Sequence, residues 1–414
     1  MVLDYLSNIS LLSLLLLVGV LISIFARNIK VPSLLLLILI GGIIGKFGLA
    51  EFDQAFITTL ALFALIMIVF DSTAKFKVKE ISSLSPYALK LVGMVFLLNL
   101  IFLSFATHML FVGWKLELIL LSVLFALMMS GTSASTVLLL FDNAKQKLIK
   151  ILEFESIINT PFIIIFPLII LYWLQGELMA GQIAFTFLQG IMTGIGTGIV
   201  LGYITLRLIK HSYWKNLSPL VVVALALVSY TLAEALGGNG ILAVTAVGVI
   251  FGITVMKEKE KIESFVSIFS NFLTIVVFIL LGIFLVKPVM NDFLLKSLLL
   301  FFIYLILRFA AVSLSLQKLK FNLKERIFMT LNMSKGVGEA VIAFVLMATV
   351  TSIALPASIT VYLSEIVSLT FLFILYSIVI TSIAATFVNY FLGSHLKNSL
   401  GAKNHIRKSK KKSK

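Results

Sequence analysis

The 414-residue chain has no cysteine, only seven prolines and only four histidines. Without cysteine there are no disulfides, no thiol nucleophile and no thiolate-ligated metal or iron–sulfur centre. Charge is scarce as well: 12% of residues are Asp, Glu, Lys or Arg, where a soluble domain has about a quarter. Acids are the rarer sign, 18 against 33 Lys and Arg. Together these shortages exclude an ordinary soluble enzyme, a disordered chain and a secreted disulfide scaffold. The histidines are scattered: His108 near a helix end, His211 in a loop, His395 and His405 in the tail. No pair has the spacing of an intramembrane metalloprotease, and no embedded nucleophile–base pair is legible. The chain therefore does not read as an enzyme, and no cofactor is expected.

Apolar residues fill the space, 60% of the sequence at a mean hydropathy of +1.14. A membrane-crossing helix needs roughly 20 such residues. Runs of that kind lie near 9–26, 32–50, 55–73, 86–110, 116–140, 149–174, 181–209, 217–236, 239–256, 264–286, 295–316, 325–350 and 360–390. The expected fold is an all-α polytopic membrane protein with about thirteen spans, and no room for a soluble domain. The first run lacks a basic leader and a small-residue cleavage site, and reads as a retained helix.

Cations mark every second connection: Arg27 and Lys30; Lys75, Lys77 and Lys79; Lys145, Lys147 and Lys150; Arg207, Lys210 and Lys215; Lys257, Lys259 and Lys261; Lys318, Lys320, Lys324 and Arg326. The intervening loops hold only Lys46, Lys115, Lys287 and Lys296. The positive-inside rule makes the odd loops cytoplasmic, with the N-terminus outside and the C-terminus inside. Residues 397–414 carry eight Lys or Arg and no acid. Such a tail suits an anionic leaflet, at about 1 kcal/mol per cation. Nucleic acid is not an expected partner, since the chain offers no reader element.

An internal symmetry follows. Span two ends in Gly41-x-x-x-Gly45 and span nine in Gly248-x-x-x-Gly252. Seven spans apart, they cross the membrane in opposite senses. Spans five and twelve form a second pair, interrupted by Ser-Gly-Thr-Ser-Ala-Ser-Thr (130–136) and Asn-Met-Ser-Lys-Gly-Val-Gly-Glu (332–339). Inverted repeats with two discontinuous helices characterise secondary transporters, the site lying where the breaks meet; small residues allowing close packing are the plainer reading. In span seven, Gly190, Gly194, Gly198 and Gly202 share one face and read as a packing surface.

Ionisable groups inside a bilayer are costly and mark function or pairing. The candidates are Asp71, Glu153, Glu155, Glu234, Arg308, Lys335, Glu339 and Glu365. Glu155 lies about one turn into span six and Arg308 near the middle of span eleven, and mutual pairing is the cheapest arrangement. That pair is either purely structural or one whose glutamate also titrates. Asp71 reads as an interfacial charge or one at the mouth of an access funnel. Lys335 and Glu339 fall at the twelfth-span break, where they can neutralise facing helix ends. Glu234 and Glu365 read as interfacial.

Glu155-Ser156-x-x-Asn159-Thr160-Pro161 resembles the Glu-Ser-x-x-Asn-Asp signature of the monovalent cation/proton antiporter superfamily, in its sodium/proton exchanger branch. The likeness extends along nearly the whole chain: Ile29 to Leu49 resembles the second helix, the segment around Thr132 the unwound fifth, Ala233 to Gly252 the eighth-to-ninth connection, and Lys335 to Phe344 the broken twelfth. Arg308 falls where the family has an arginine that pairs with the sixth-helix glutamate. The resemblance implies scaffold and dimer helices in 1–80 and 217–286, core helices in 86–174 and 295–393, a linking helix in 181–209, and a basic tail in 394–414. It implies a homodimer in the plasma membrane that exchanges Na⁺ or K⁺ for protons, with no other metal.

Two departures bear on the site. The family's Asn-Asp reads Asn159-Thr160 here, and its Thr-Asp-Pro reads Thr132-Ser133-Ala134. The lost sixth-helix aspartate is the group that cation and proton contest. Thr132, Ser133, Ser135, Asn159 and Thr160 still supply neutral oxygens, which suit alkali cations. Glu155 is the nearby acid. Altered coupling is the leading expectation; a non-coupled cation or solute permease and a transport-inactive sensor or scaffold are the alternatives.

Overall fold

The computed structural model describes residues 2–28, 33–48, 52, 54–75, 85–133, 147–174, 183–211, 217–256, 258–285, 291–352, 356–388 and 390–392. Ser135, the tail 394–414 and the loop cations at 30, 77, 79, 145, 215, 257 and 287 lie outside them. Among the described residues every regular element is helical. The elements are α1 (Val2–Asn28), α2 (Ser33–Lys46), α3 (Gln54–Ala74) and α4 (Ser85–Leu98). Helix α4 continues unbroken through π-helical turns Asn99–Leu103 and His108–Val112, with Ser104–Thr107 between them. There follow α5 (Ile119–Met128), α6 (Lys147–Leu174), α7 (Ile183–His211), α8 (Ser218–Ala235) and α9 (Gly240–Ile253). The chain ends in α10 (Lys259–Leu285), α11 (Asn291–Ser315), α12 (Leu323–Leu331), α13 (Val337–Ser352) and α14 (Ala357–Thr386).

Eight described helices are long and apolar enough to cross a membrane, and five apolar segments of 10–17 residues accompany them. Large apolar side chains cover the outside: Leu17, Phe25, Phe105, Phe185 and Phe302 are each more than half exposed. Water would penalise that surface and lipid does not.

Helices α1–α3 pack with α8–α10, and α4–α6 with α11–α14; α13 also packs on α3 and α10, and α7 lies on α8 and α9. Glycines set the closest approaches. A Cβ on Gly41 of α2 would strike the Ile279 carbonyl of α10, and Gly282 of α10 faces Gly41 in return. Backbones this close gain dispersion contact without side-chain ordering. The glycine face of α7 meets α9 the same way at Gly194 and Gly198, which press on Asn239 and Ala243. Gly190 departs from the expected pattern: a Cβ there would meet nothing, and its carbonyl instead accepts the Asn239 N–H at 2.9 Å.

In both spans the helix stops at the run of small and polar residues. Helix α5 ends at Met128, and residues 131–133 run on without helical structure. Helix α12 is opened by a capping box: the Asn322 side chain accepts from the Glu325 N–H, and the Glu325 carboxylate from the Asn322 N–H, each at 2.8 Å. The box satisfies two otherwise unpaired donors. Residues 332–336 then separate α12 from α13.

Candidate functional site

The two interruptions lie side by side. The Ser133 N–H donates to the Ser334 carbonyl at 2.7 Å, and the Ser334 hydroxyl donates to the Ser133 carbonyl at 2.9 Å. Helix α14 braces the second break: Ser377 accepts the Lys335 N–H at 2.9 Å, and Thr381 donates to the Leu331 carbonyl at 2.9 Å. An unwound backbone at membrane depth needs such partners, because lipid provides none.

Lys335 lies in the second break and is completely buried. Its ammonium donates to the carbonyls of Met129 and Gly131, each at 2.6 Å, and to the Tyr304 hydroxyl at 2.7 Å. Three protons meet three acceptors, so the ammonium has none left. The Met129 carbonyl also accepts from Asn99 Nδ2 at 3.3 Å, and Asn99 reaches the Ser130 hydroxyl at 3.1 Å. The positive charge thus sits at the C-terminal end of α5, where the helix dipole favours a cation. Glu339 is the counterpart at the N-terminal end of α13. Its Oε2 accepts the Gly336 N–H at 2.8 Å, and its Oε1 is buried with no hydrogen-bond partner.

On α6, Glu155 meets Arg308 of α11. Both guanidinium Nη groups donate, one to each carboxylate oxygen, the Nη2–Oε2 distance being 2.8 Å. Neither side chain has any exposure. Arg308 Nε is left without a partner. One turn further along α6, Asn159 Nδ2 donates to the Thr132 hydroxyl at 3.0 Å, and Asn159 Oδ1 is buried and unpaired. Thr160, also on α6, turns back on its own helix and donates to the Ser156 carbonyl at 2.7 Å. Pro161 follows, and lacks the N–H that the Ile157 carbonyl takes in a regular helix.

The structure therefore brings Thr132, Ser133, Asn159, Lys335 and Glu339 together at the crossing, with the Glu155–Arg308 pair on the neighbouring α6 and α11. The remaining intramembrane acids are elsewhere. Asp71 accepts from Lys75 at 2.7 Å and from Ser267 of α10 at 2.6 Å. Exposed Glu234 accepts the Gly240 N–H at 2.8 Å, and Glu365 is half-buried. His108 is buried, with Nδ1 3.3 Å from the Ser122 hydroxyl. Asn99, Tyr304 and Ser377 join the site without having been singled out. Each is a lone polar residue in an apolar run, and Tyr304 precedes Arg308 by four, which places the two on one helix face.

Interrupted helices that cross beside buried charges, in an all-helical membrane protein, define the architecture of a secondary transporter. Residues 11–389 match the family model described as sodium/hydrogen exchanger, transmembrane, and the chain belongs to that family. The Na(+)/H(+) antiporter NhaG of Bacillus atrophaeus is 26% identical over 322 residues, which cover 72% of this chain and 60% of that protein. The Na(+)/H(+) antiporter NhaH of Halobacillus aidingensis is 28% identical over 261 residues, 58% of this chain and 62% of that one. The match thus spans less than two thirds of either relative. The sodium proton antiporter MjNhaP1 of Methanocaldococcus jannaschii, solved at pH 8, superposes with a TM-score of 0.81 at 23% identity, covering 94% of this chain and 98% of that one. A second structure of MjNhaP1 gives 0.75 at 20% identity. At these identities the likeness is one of fold.

Proposed function

We propose that this chain exchanges a monovalent cation, Na⁺ or K⁺, for protons across the plasma membrane, with a coupling site altered from the family pattern. The carrying observation is the crossing itself, where unwound backbone, neutral oxygens and buried charges converge inside an exchanger fold. Thr132, Ser133, Asn159 and Thr160 supply oxygen ligands beside the Glu155 carboxylate, and Arg308 holds that carboxylate in place. Lys335 and Glu339 neutralise the ends of the broken helices. Oxygens of this kind replace part of an alkali ion's hydration shell. The protein works as a homodimer, with its N-terminus outside and its basic tail in the cytoplasm.

The test is a pH-gradient dequenching assay in proteoliposomes, with Na⁺, Li⁺ and K⁺ added in turn. Cation-dependent proton movement is expected. Its absence with folded protein would refute the exchange reading, in favour of a non-coupled permease or a sensor.

A further inference from the structure

Exchange needs a carboxylate that a proton and a cation can each occupy. Position 160 offers none, and both oxygens of Glu155 are engaged by Arg308. One carboxylate oxygen at the crossing is free. Glu339 is 2% exposed, its Oε2 is held by the Gly336 N–H, and its Oε1 accepts nothing. Lys335, four residues before it, spends all its donors on Met129, Gly131 and Tyr304. A buried oxygen without a donor costs free energy that a proton or a cation would recover.

The placement of that oxygen matches its chemistry. A Cβ on Gly131 would lie 2.5 Å from Glu339 Oε1, so the carboxylate rests against the first break. The next residue is Thr132, whose hydroxyl accepts from Asn159 Nδ2. Asn159 Oδ1 is also buried and unpaired, as is Asn332 Oδ1 where the second break begins. Two consecutive residues of one break thus meet side chains that each carry an unpaired oxygen: Gly131 meets the Glu339 carboxylate, and Thr132 the Asn159 amide through its nitrogen. Hard alkali cations take such oxygens.

We propose that Glu339 is the carboxylate contested by the proton and the monovalent cation, in place of the aspartate that α6 lacks. This assignment rests on the exchange reading above. The step is an ion exchange at one oxygen: the protonated carboxyl binds M⁺ as a carboxylate, the O–H bond breaks, and H⁺ leaves. No electrons move. Glu155 and Arg308 cancel, so the site carries the same net charge, that of Lys335, with either the proton or the cation on Glu339. One cation therefore replaces one proton.

The charged and titratable groups around Glu339 are already engaged. Lys335 and Tyr304 bond each other, and Glu155 of α6 is held by Arg308 of α11. Of the other helices packed on α13, α3 brings Asp71, bound by Lys75 and Ser267, and α10 brings Glu263, 3.7 Å from Lys259. Helix α14 brings Tyr376, 3.0 Å from the Ser297 hydroxyl, and Glu365, which has Lys296 as its electrostatic partner.

Two measurements on the full chain test the assignment. Na⁺, Li⁺ or K⁺ is added to protein in weakly buffered detergent solution and released protons are read with a pH indicator; the same preparations are assayed in proteoliposomes. Wild type is expected to release protons on cation addition and to move them in vesicles. Glu339→Gln is expected to lose both. Glu339→Asp keeps a carboxylate on a shorter stem, and is expected to retain both with a displaced pH profile. Proton release by Glu339→Gln equal to wild type overturns the assignment, and so does a folded wild type that releases none. If Glu339→Gln does not fold, Glu339→Asp decides, an unchanged pH profile being the contrary result. Proton release in detergent without exchange in vesicles upholds Glu339 and overturns the exchange reading instead.

Discussion

Removing one member of the Glu155–Arg308 pair should damage the protein more than removing both. The two groups are bonded through both carboxylate oxygens, and neither has solvent exposure. Arg308→Met strands a carboxylate at membrane depth. Glu155→Gln strands a guanidinium whose Nε already lacks a partner. An uncompensated buried charge of this kind costs about 3–5 kcal/mol. The double variant buries no charge at this place, so it should lose less than either single variant, which requires a coupling energy larger than one single loss, more than about 3–5 kcal/mol. In a chain of this size each kcal/mol moves the melting temperature by at most about 2–4 °C. The single variants should therefore melt several degrees early and the double variant between them and wild type. Thermal unfolding of detergent-purified protein, followed by intrinsic fluorescence, reads all four. Strictly additive losses, or a single variant that melts like wild type, would show that the pair does not hold α6 to α11.

Three further outcomes are expected. Thr160→Asp restores the carboxylate at the family's position, next to Asn159; the Thr160 side chain is only partly buried, which limits the desolvation cost. It should strengthen cation-dependent proton movement or displace its pH profile in vesicles, and an unchanged profile counts against α6 facing the ion path. A single Cys at Lys410 should react with an impermeant thiol reagent only from the cytoplasmic side, a clean assay because the chain has no other Cys; labelling from outside intact cells would reverse the orientation. Gly198→Leu should destabilise by about 1–3 kcal/mol, because a Cβ there already meets the Ala243 backbone. Gly196→Ala meets nothing within 4 Å and should be neutral or stabilising by up to about 1 kcal/mol; equal effects in thermal unfolding would remove close α7–α9 packing as the reason for the glycines.

Much of this protein was legible without its fold. The apolar runs give the order and approximate limits of the helices, because hydropathy is a property of a segment and a bilayer tests each segment separately. The runs of small and polar residues at 130–136 and 332–339 are where helices stop: α5 ends at Met128 with 131–133 not helical, 134–136 lying outside the described residues, and 332–336 separates α12 from α13. Scarcity identified the buried charges, since each is conspicuous in an apolar run. Which charge meets which could not be read in this way. Glu155 and Arg308 are 153 residues apart, and Lys335 reaches carbonyls 204 and 206 residues away. Those meetings depend on how each helix is rotated and where the breaks cross, which no local pattern encodes. Only the tertiary structure shows that Arg308 occupies both oxygens of Glu155, that Thr160 turns back on its own helix, and that Lys335 is spent on α5 and Tyr304. The free carboxylate oxygen at the crossing consequently belongs to Glu339, because hydrogen-bond capacity is finite and the Lys335 ammonium, four residues away, has already used its three protons.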